Sequence, residues 1–366
     1  MRILLVTGIY PPDVGGPATF IPRLAQYLCD REIEVEVLTL ADSNFPADHS
    51  DWKITRIKRQ MWLPLRFIIT VLTGVKRLKK CDAVFVNGLH EEIGIALRFF
   101  KRQSVAKIVG DPVWERSINA GITELSIEDF NQSRLNLGNR LQRRLLIGSL
   151  NRFNFVISPS QGLVDIVKAW GVKANTSLLL NGIENLGDSK PEINFDLVTV
   201  SRLVKWKQVD AVIRSASILN LSICIVGDGP ENEALIKLAK ELGCKATFVG
   251  NVSEDEAIEL IKQSEIYILF STYEGLSFSL LQAMNLGKTV VVSNAQGNVD
   301  VVTNNYDGLI VNKSDQNALT ETLKVLTSNP GLKTSLGLAA RKTALHKYSL
   351  AQTLSATSAL LGVSRE

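Results

Sequence analysis

The chain has 366 residues, 45% of them hydrophobic and 21% charged, and a mean hydropathy of +0.11. That length exceeds one average domain and suits two of roughly 150 to 200 residues, while the apolar share excludes a disordered chain. The formal net charge is only +4, yet residues 1–185 hold 24 Lys+Arg against 18 Asp+Glu and the remainder 17 against 19, so the basic character belongs to the first half.

Nucleic acid is not expected as a partner, because the pI of about 8.8 lies below the usual basic-domain range and no reader motif interleaves the arginines. Cys29, Cys81, Cys224 and Cys244 lack CxxC spacing and read as reduced, buried thiols of a cytoplasmic protein. His49, His90 and His346 are far apart, and none has a second ligand at helical spacing, so no metal is expected.

The chain opens with Ile3-Leu4-Leu5-Val6-Thr7 and stops at Gly8, too short for a secretory signal and suited to a buried first strand. The loop Tyr10-Pro11-Pro12-Asp13-Val14-Gly15-Gly16-Pro17 follows, with Gly15 and Gly16 allowing close approach to the backbone before a helix over 17–31. Further strands are expected at 33–40, 81–87, 105–110 and 153–158, alternating with helices near 65–80, 91–101, 134–150 and 160–170.

The apolar tract from Met61 to Val75 contains Pro64 and Arg66 and falls short of the roughly 20 residues that cross a bilayer. Its helix pattern puts Leu65, Ile68, Leu72 and Val75 on one stripe and Arg66, Thr70, Thr73, Arg77 and Lys80 on another, flanked by Trp62, Lys76 and Lys79. Two readings stay open. Such a segment docks on anionic membranes, with Arg140, Arg143, Arg144 and Arg152 adding charge to the same half, or it packs its apolar face on the first sheet.

Later, Val109-Gly110-Asp111-Pro112-Val113-Trp114-Glu115-Arg116 ends a strand. Asp111 there fits either contact with a ligand or the N-cap of a helix begun by Pro112.

Loop and turn residues cluster from Asn181-Gly182-Ile183 through Gly187, Asp188, Ser189 and Pro191 to Glu192. They divide a first domain, 1–183, from a second, 184–347, and the last segment, 348–366, can return to the first. The second half repeats the alternation: strands at 195–200, 221–227, 246–250, 265–270 and 288–293, helices at 207–220, 230–243, 253–263, 277–287 and 315–328. Runs such as Ile223-Cys224-Ile225-Val226 are apolar on both faces, as strands of a covered parallel sheet must be. The fold class is α/β, with two doubly wound parallel-sheet domains.

Three segments of the second half carry chemistry. Ser201-Arg202-Leu203-Val204-Lys205-Trp206-Lys207 leaves the C-terminal edge of a strand, where open α/β sheets bind ligands, and its cations can hold a diphosphate. Gly227-Asp228-Gly229-Pro230 repeats a strand, turn and helix start, although it lacks the third glycine of a dinucleotide fingerprint. The run Ser271 to Gly287 follows an apolar strand and opens a helix whose free NH groups, near Gly275, Leu276, Ser277 and Phe278, suit phosphate. Glu274 can accept hydrogen bonds from sugar hydroxyls, and Gln282, two turns on, can reach a ribose.

Taken in order, Arg202 and Lys207, Gly227-Asp228-Gly229, Phe248-Val249-Gly250 and Glu274 resemble the pattern of the retaining glycosyltransferase family 4, glycosyl transferases group 1, of GT-B architecture. The resemblance implies two Rossmann-like domains facing a central cleft, and a donor site formed by Gly15, Gly16, Ser201, Arg202, Lys207, Gly227, Asp228, Gly229, Val249, Glu274, Gly275, Leu276, Ser277 and Gln282. Arg202, Lys207, Glu274 and Asp111 are the implied catalytic residues, with a nucleotide sugar as donor, no metal or cofactor, and a sugar or lipid-linked acceptor at the cytoplasmic face of a membrane. One position departs: the family's second glutamate is Gln282 here, which keeps an amide and loses the charge. A nucleotide-sugar epimerase or a non-catalytic nucleotide-sugar-binding subunit would share this fold.

Overall fold

The computed structural model describes residues 1–13, 15–42, 51–187 and 192–363; Val14, His49, Asp188, Ser189 and Pro191, named above, lie outside the described residues. Two compact units divide the chain: Met1–Leu180 with Gln352–Glu366, and Asn181–Ala351.

Apolar runs become the centre of a sheet in each unit. In the first, β1 (Arg2–Thr7), β2 (Glu34–Ala41), β3 (Lys53–Lys58), β4 (Ala83–Asn87), β5 (Gln103–Lys107), β6 (Phe155–Ser158) and β7 (Asn175–Leu178) pair in parallel. Their order is β3-β2-β1-β4-β5-β6-β7. In the second, β8 (Phe195–Val200), β9 (Ser222–Val226), β10 (Lys245–Gly250), β11 (Ser264–Leu269), β12 (Thr289–Ser293) and β13 (Leu309–Val311) are also parallel, ordered β10-β9-β8-β11-β12-β13. Both are doubly wound Rossmann sheets, whose order reverses between β1 and β4 and between β8 and β11. Ile3, Leu4, Leu5 and Val6 in one sheet and Val290, Val291 and Val292 in the other are fully buried, each worth about 1.5–3 kcal/mol relative to exposure.

The helices of the first unit are α1 (Gly16–Cys29), α2 (Leu63–Leu78), α3 (His90–Ala96), α4 (Pro112–Asn119), α5 (Ile127–Gln132), α6 (Leu137–Leu150) and α7 (Gln161–Ala169). Those of the second are α8 (Val209–Ile218), α9 (Asn232–Glu241), α10 (Glu254–Lys262), α11 (Phe278–Asn285), α12 (Gln296–Val299), α13 (Gln316–Ser328) and α14 (Pro330–Lys347). A last helix, α15 (Leu350–Leu360), begins in the second unit and continues into the first. There Thr353 Oγ1 donates to the Leu180 carbonyl at 3.0 Å, and Gln103 Nε2 donates to the Leu360 carbonyl at 2.7 Å.

Helices α2, α3 and α6 form one layer because two glycines let them approach: a Cβ at Gly74 would meet Ile93 at 2.9 Å, and one at Gly94 would collide with Ser149. The buried face of α2 is Thr70, Gly74 and Leu78. Packing of its leucine stripe on the sheet is thereby ruled out for most of that stripe: Leu65, Ile68 and Leu72 are exposed, and only Val75 joins the core. Among the described residues no helix is long and apolar enough to cross a membrane.

Candidate active site

At the order reversal of the second sheet, the loops after β8 and β11 are joined. After β8 the chain makes a turn of 3-10 helix over Lys205–Lys207, and the Thr272 amide of the β11 loop donates to the Trp206 carbonyl at 2.7 Å. Lys207 Nζ and Glu274 Oε1 form an ion pair across this junction, with side-chain exposures of 15% and 7%. Ser271 Oγ donates to the same Glu274 oxygen at 2.8 Å. One cation and one carboxylate from different strands are thus fixed together.

The other predicted residues fall around this pair in different ways. Arg202 lies on the Lys207 loop with an exposed side chain, outside the ion pair. Ser201 Oγ is buried and has no hydrogen-bond partner among the described residues. Gly227, at φ +124, and Gly229 are required by close packing: a Cβ at Gly227 would strike the Ser201 carbonyl, and one at Gly229 that of Leu203. The loop after β9 is packed on the β8 loop, with Leu203 N donating to the Asp228 carbonyl at 2.9 Å and Gly227 N to the Gly250 carbonyl at 2.9 Å. Asp228 Oδ1 accepts from Gly229 N, and Val249 is 37% exposed at the end of β10.

Gly275, Leu276 and Ser277 lead into α11, whose N-cap is Ser277; its Oγ accepts from Leu280 N at 3.3 Å. Tyr267 and Ser279 brace this turn from below, Tyr267 Oη lying 2.8 Å from Ser279 Oγ, which donates to the Val200 carbonyl at 3.0 Å. Burial pushes the Tyr267 hydroxyl well above the usual tyrosine range, so it remains neutral. Gln282, 6% exposed, donates through Nε2 to Glu254 Oε1 at 2.7 Å.

Several supports were not singled out in the sequence. Lys313 Nζ donates to the Thr272 carbonyl at 3.2 Å, and Ser293 Oγ donates to the Ser271 carbonyl. Gly297 sits where any Cβ would collide with the Glu274 and Gly275 carbonyls. Glu254 belongs to a Ser-Glu-Asp-Glu run that reads only as a helix start. Nothing local marks these residues; their roles come from pairing across strands and helices.

In the first unit, Gly15, at φ +146, is the N-cap of α1 and Gly16 its first residue, with Ile9 packed against Gly15. Asp111 is 0% exposed and caps α4: Oδ1 accepts from Val113 N at 3.0 Å and Trp114 N at 3.1 Å. Its Oδ2 accepts from Asn131 Nδ2 at 3.1 Å and Arg143 Nη2 at 2.6 Å. Arg143 lies 4.1 Å from the Trp170 ring, and Trp170 Nε1 donates to Asn131 Oδ1 at 2.8 Å, closing the network. Of the two sequence readings of Asp111, the cap is the one this geometry realises, and neither oxygen faces solvent. Nearby, Lys107 is 1% exposed with Nζ 4.1 Å from the Phe20 ring, and burial pushes its ammonium down to about 7.

With this geometry fixed, comparison with known proteins bears on the whole chain. Residues 14–185 match the family model Glycosyltransferase Family 4, and residues 188–343 match Glycosyl transferases group 1. An uncharacterized glycosyltransferase of Methanocaldococcus jannaschii is 33% identical, over 92% of this chain and 92% of its own. A GDP-mannose-dependent monoacylated alpha-(1-6)-phosphatidylinositol monomannoside mannosyltransferase of Corynebacterium glutamicum is 22% identical over 93% of this chain and 92% of its own. Among solved structures, Anabaena HepE in complex with UDP-glucose aligns with a TM-score of 0.81 at 20% identity over 100% of both chains. That likeness shows the fold. The two sheets, the matched models and the archaeal relative together make this chain a glycosyltransferase of family 4 and group 1, a transferase with two Rossmann-like domains of the GT-B class.

Proposed function

We propose that the enzyme transfers a sugar from a UDP- or GDP-linked donor to a hydroxyl acceptor, with retention of configuration, in the assembly of surface polysaccharide or glycolipid. The observation that carries this reading is the Lys207–Glu274 pair at the order reversal, beside the start of α11. Lys207, Arg202 and the amides around Gly275 to Phe278 stabilise the charge that grows on the leaving diphosphate, so that no metal is required. Glu274, held by Lys207 and Ser271, accepts hydrogen bonds from the transferred sugar. The names of the relatives are grounds for testing both bases, since HepE is described with UDP-glucose and the C. glutamicum enzyme as GDP-mannose-dependent.

We further propose that the first unit rests on the cytoplasmic face of an anionic membrane, where a lipid-linked acceptor would be found. Trp62, Leu63, Leu65, Ile68 and Leu72 are 45–75% exposed at α2, and Leu137, Leu141 and Leu145 are 43–83% exposed along α6. Residues 59–81 carry six Lys and Arg, residues 133–152 five Arg, and neither stretch has a single Asp or Glu. Arg59, Arg77 and Arg143 of these stretches are paired with Asp13, Glu36 and Asp111, and exposed leucines beside the remaining cations suit an anionic lipid surface better than a protein partner of mixed charge.

The test of the catalytic reading is a melting screen with UDP-, GDP- and ADP-sugars followed by product analysis in EDTA. One nucleotide sugar is expected to raise the midpoint, since it binds only the native state, and to yield a glycoside of unchanged anomeric configuration. A chain stabilised by none of them would sink the reading. Release of an epimerised sugar without acceptor would assign an epimerase instead.

A further inference from the structure

Gln282 stands where the family pattern has a glutamate, but the site has not lost its negative charge. The Gln282 amide donates to Glu254 Oε1 at 2.7 Å, so a carboxylate from α10 meets α11 at that position. Glu254 is not needed to cap α10. Ser253 and Glu256 form the capping box: Ser253 Oγ accepts from Glu256 N at 3.3 Å, and Glu256 Oε2 accepts from Ser253 N at 2.9 Å. Glu254 lies at the first helical position of α10, and it is half-buried.

We infer that Glu254 supplies the carboxylate that accepts the two hydroxyls of the donor ribose, with Gln282 orienting it. The inference rests on the nucleotide-sugar reading given above. Phosphates held at the Ser277 end of α11 leave the ribose one step along the helix, and Gln282 lies four residues beyond Phe278, about 6 Å at 1.5 Å per residue. A vicinal diol presents two O–H donors, for which a carboxylate is the matching acceptor, as at the ribose of dinucleotide sites. The pair holds one charge and one amide. Writing the family's glutamate back at 282 would set two carboxylates in contact, replacing a hydrogen bond by like-charge repulsion.

Titration calorimetry of the full chain with UDP and GDP, and with the 2′,3′-dideoxy form of whichever binds, tests this. Glu254→Gln and Gln282→Glu are each expected to weaken the ribonucleotide about tenfold or more, as loss of a charged hydrogen bond does. Both should bring its affinity down to that of the dideoxy form. The double exchange, Gln282→Glu with Glu254→Gln, restores one carboxylate and one amide and should return affinity to within about threefold of wild type. Equal affinity in wild type and Glu254→Gln, or tighter binding by Gln282→Glu, would overturn the inference and leave the nucleotide site standing. A wild-type chain that binds neither nucleotide would overturn both. A pair that only braces α10 on α11 would lower the melting midpoint without changing the ratio of ribo- to dideoxynucleotide affinity. Glu254→Gln, isosteric and half-buried, keeps that ratio measurable even where Gln282→Glu does not fold.

Discussion

Each unit sets a cation against a carboxylate near the carboxyl edge of its sheet, and the two pairs are used differently. Asp111 and Arg143 are 0% and 8% exposed, and every oxygen of the aspartate is engaged by a helix cap, an asparagine or the arginine. Lys207 and Glu274 are 15% and 7% exposed, on two loops at the point where strand order reverses. The first pair is enclosed by its partners, whereas the second, somewhat more exposed, is the one proposed above to meet the donor. The number of local partners each carboxylate has, rather than its residue type, separates the two.

The largest expected effect is on the buried pair. Asp111→Ala leaves Arg143 charged and unpaired, a loss of about 3–5 kcal/mol that should lower the melting midpoint of the first unit by on the order of 10 °C. If Asp111→Asn instead melted like wild type but lost turnover, Asp111 would belong with the reacting groups and the contrast would break.

Next is Lys207→Ala, expected to reduce turnover about 100-fold or more, by analogy with removal of an oxyanion donor, while the melting midpoint moves by only a few degrees. Unchanged turnover would remove the diphosphate assignment. The smallest effect concerns the surface leucines, which lie on α2 and α6 of the first unit. Leu141→Glu should reduce flotation with anionic vesicles at low salt by about tenfold or less, a change of the order of one or two charges at the surface. Absence of wild-type flotation, or equal binding to zwitterionic vesicles, would sink the membrane proposal.

Most strands legible in the sequence are buried on both faces, the edge strand β10 being the exception. Those that escaped it, β3, β7 and β13, are all sheet edges. Lys53-Ile54-Thr55-Arg56-Ile57-Lys58 carries charge because an exposed edge needs it, and Asn175-Thr176-Ser177-Leu178 is short and polar for the same reason. Helix α4 was legible only as one of two readings, since Asp111 fits a ligand contact as well as the cap of a helix begun by Pro112. The site divides likewise. Lys207 and Glu274 stand out because their strand-to-helix loops are legible one at a time, whereas the contact of Gln282 with Glu254 joins two helices 28 residues apart and leaves no local trace.

The route of α15 has a consequence for how the molecule is made. Gln352–Glu366 belong to the unit that begins at Met1, and Thr353 and Leu360 are bonded to Leu180 and Gln103. On the ribosome, the half that emerges first is the last to receive all of its parts. A fragment cut at residue 180 is therefore not an independent half.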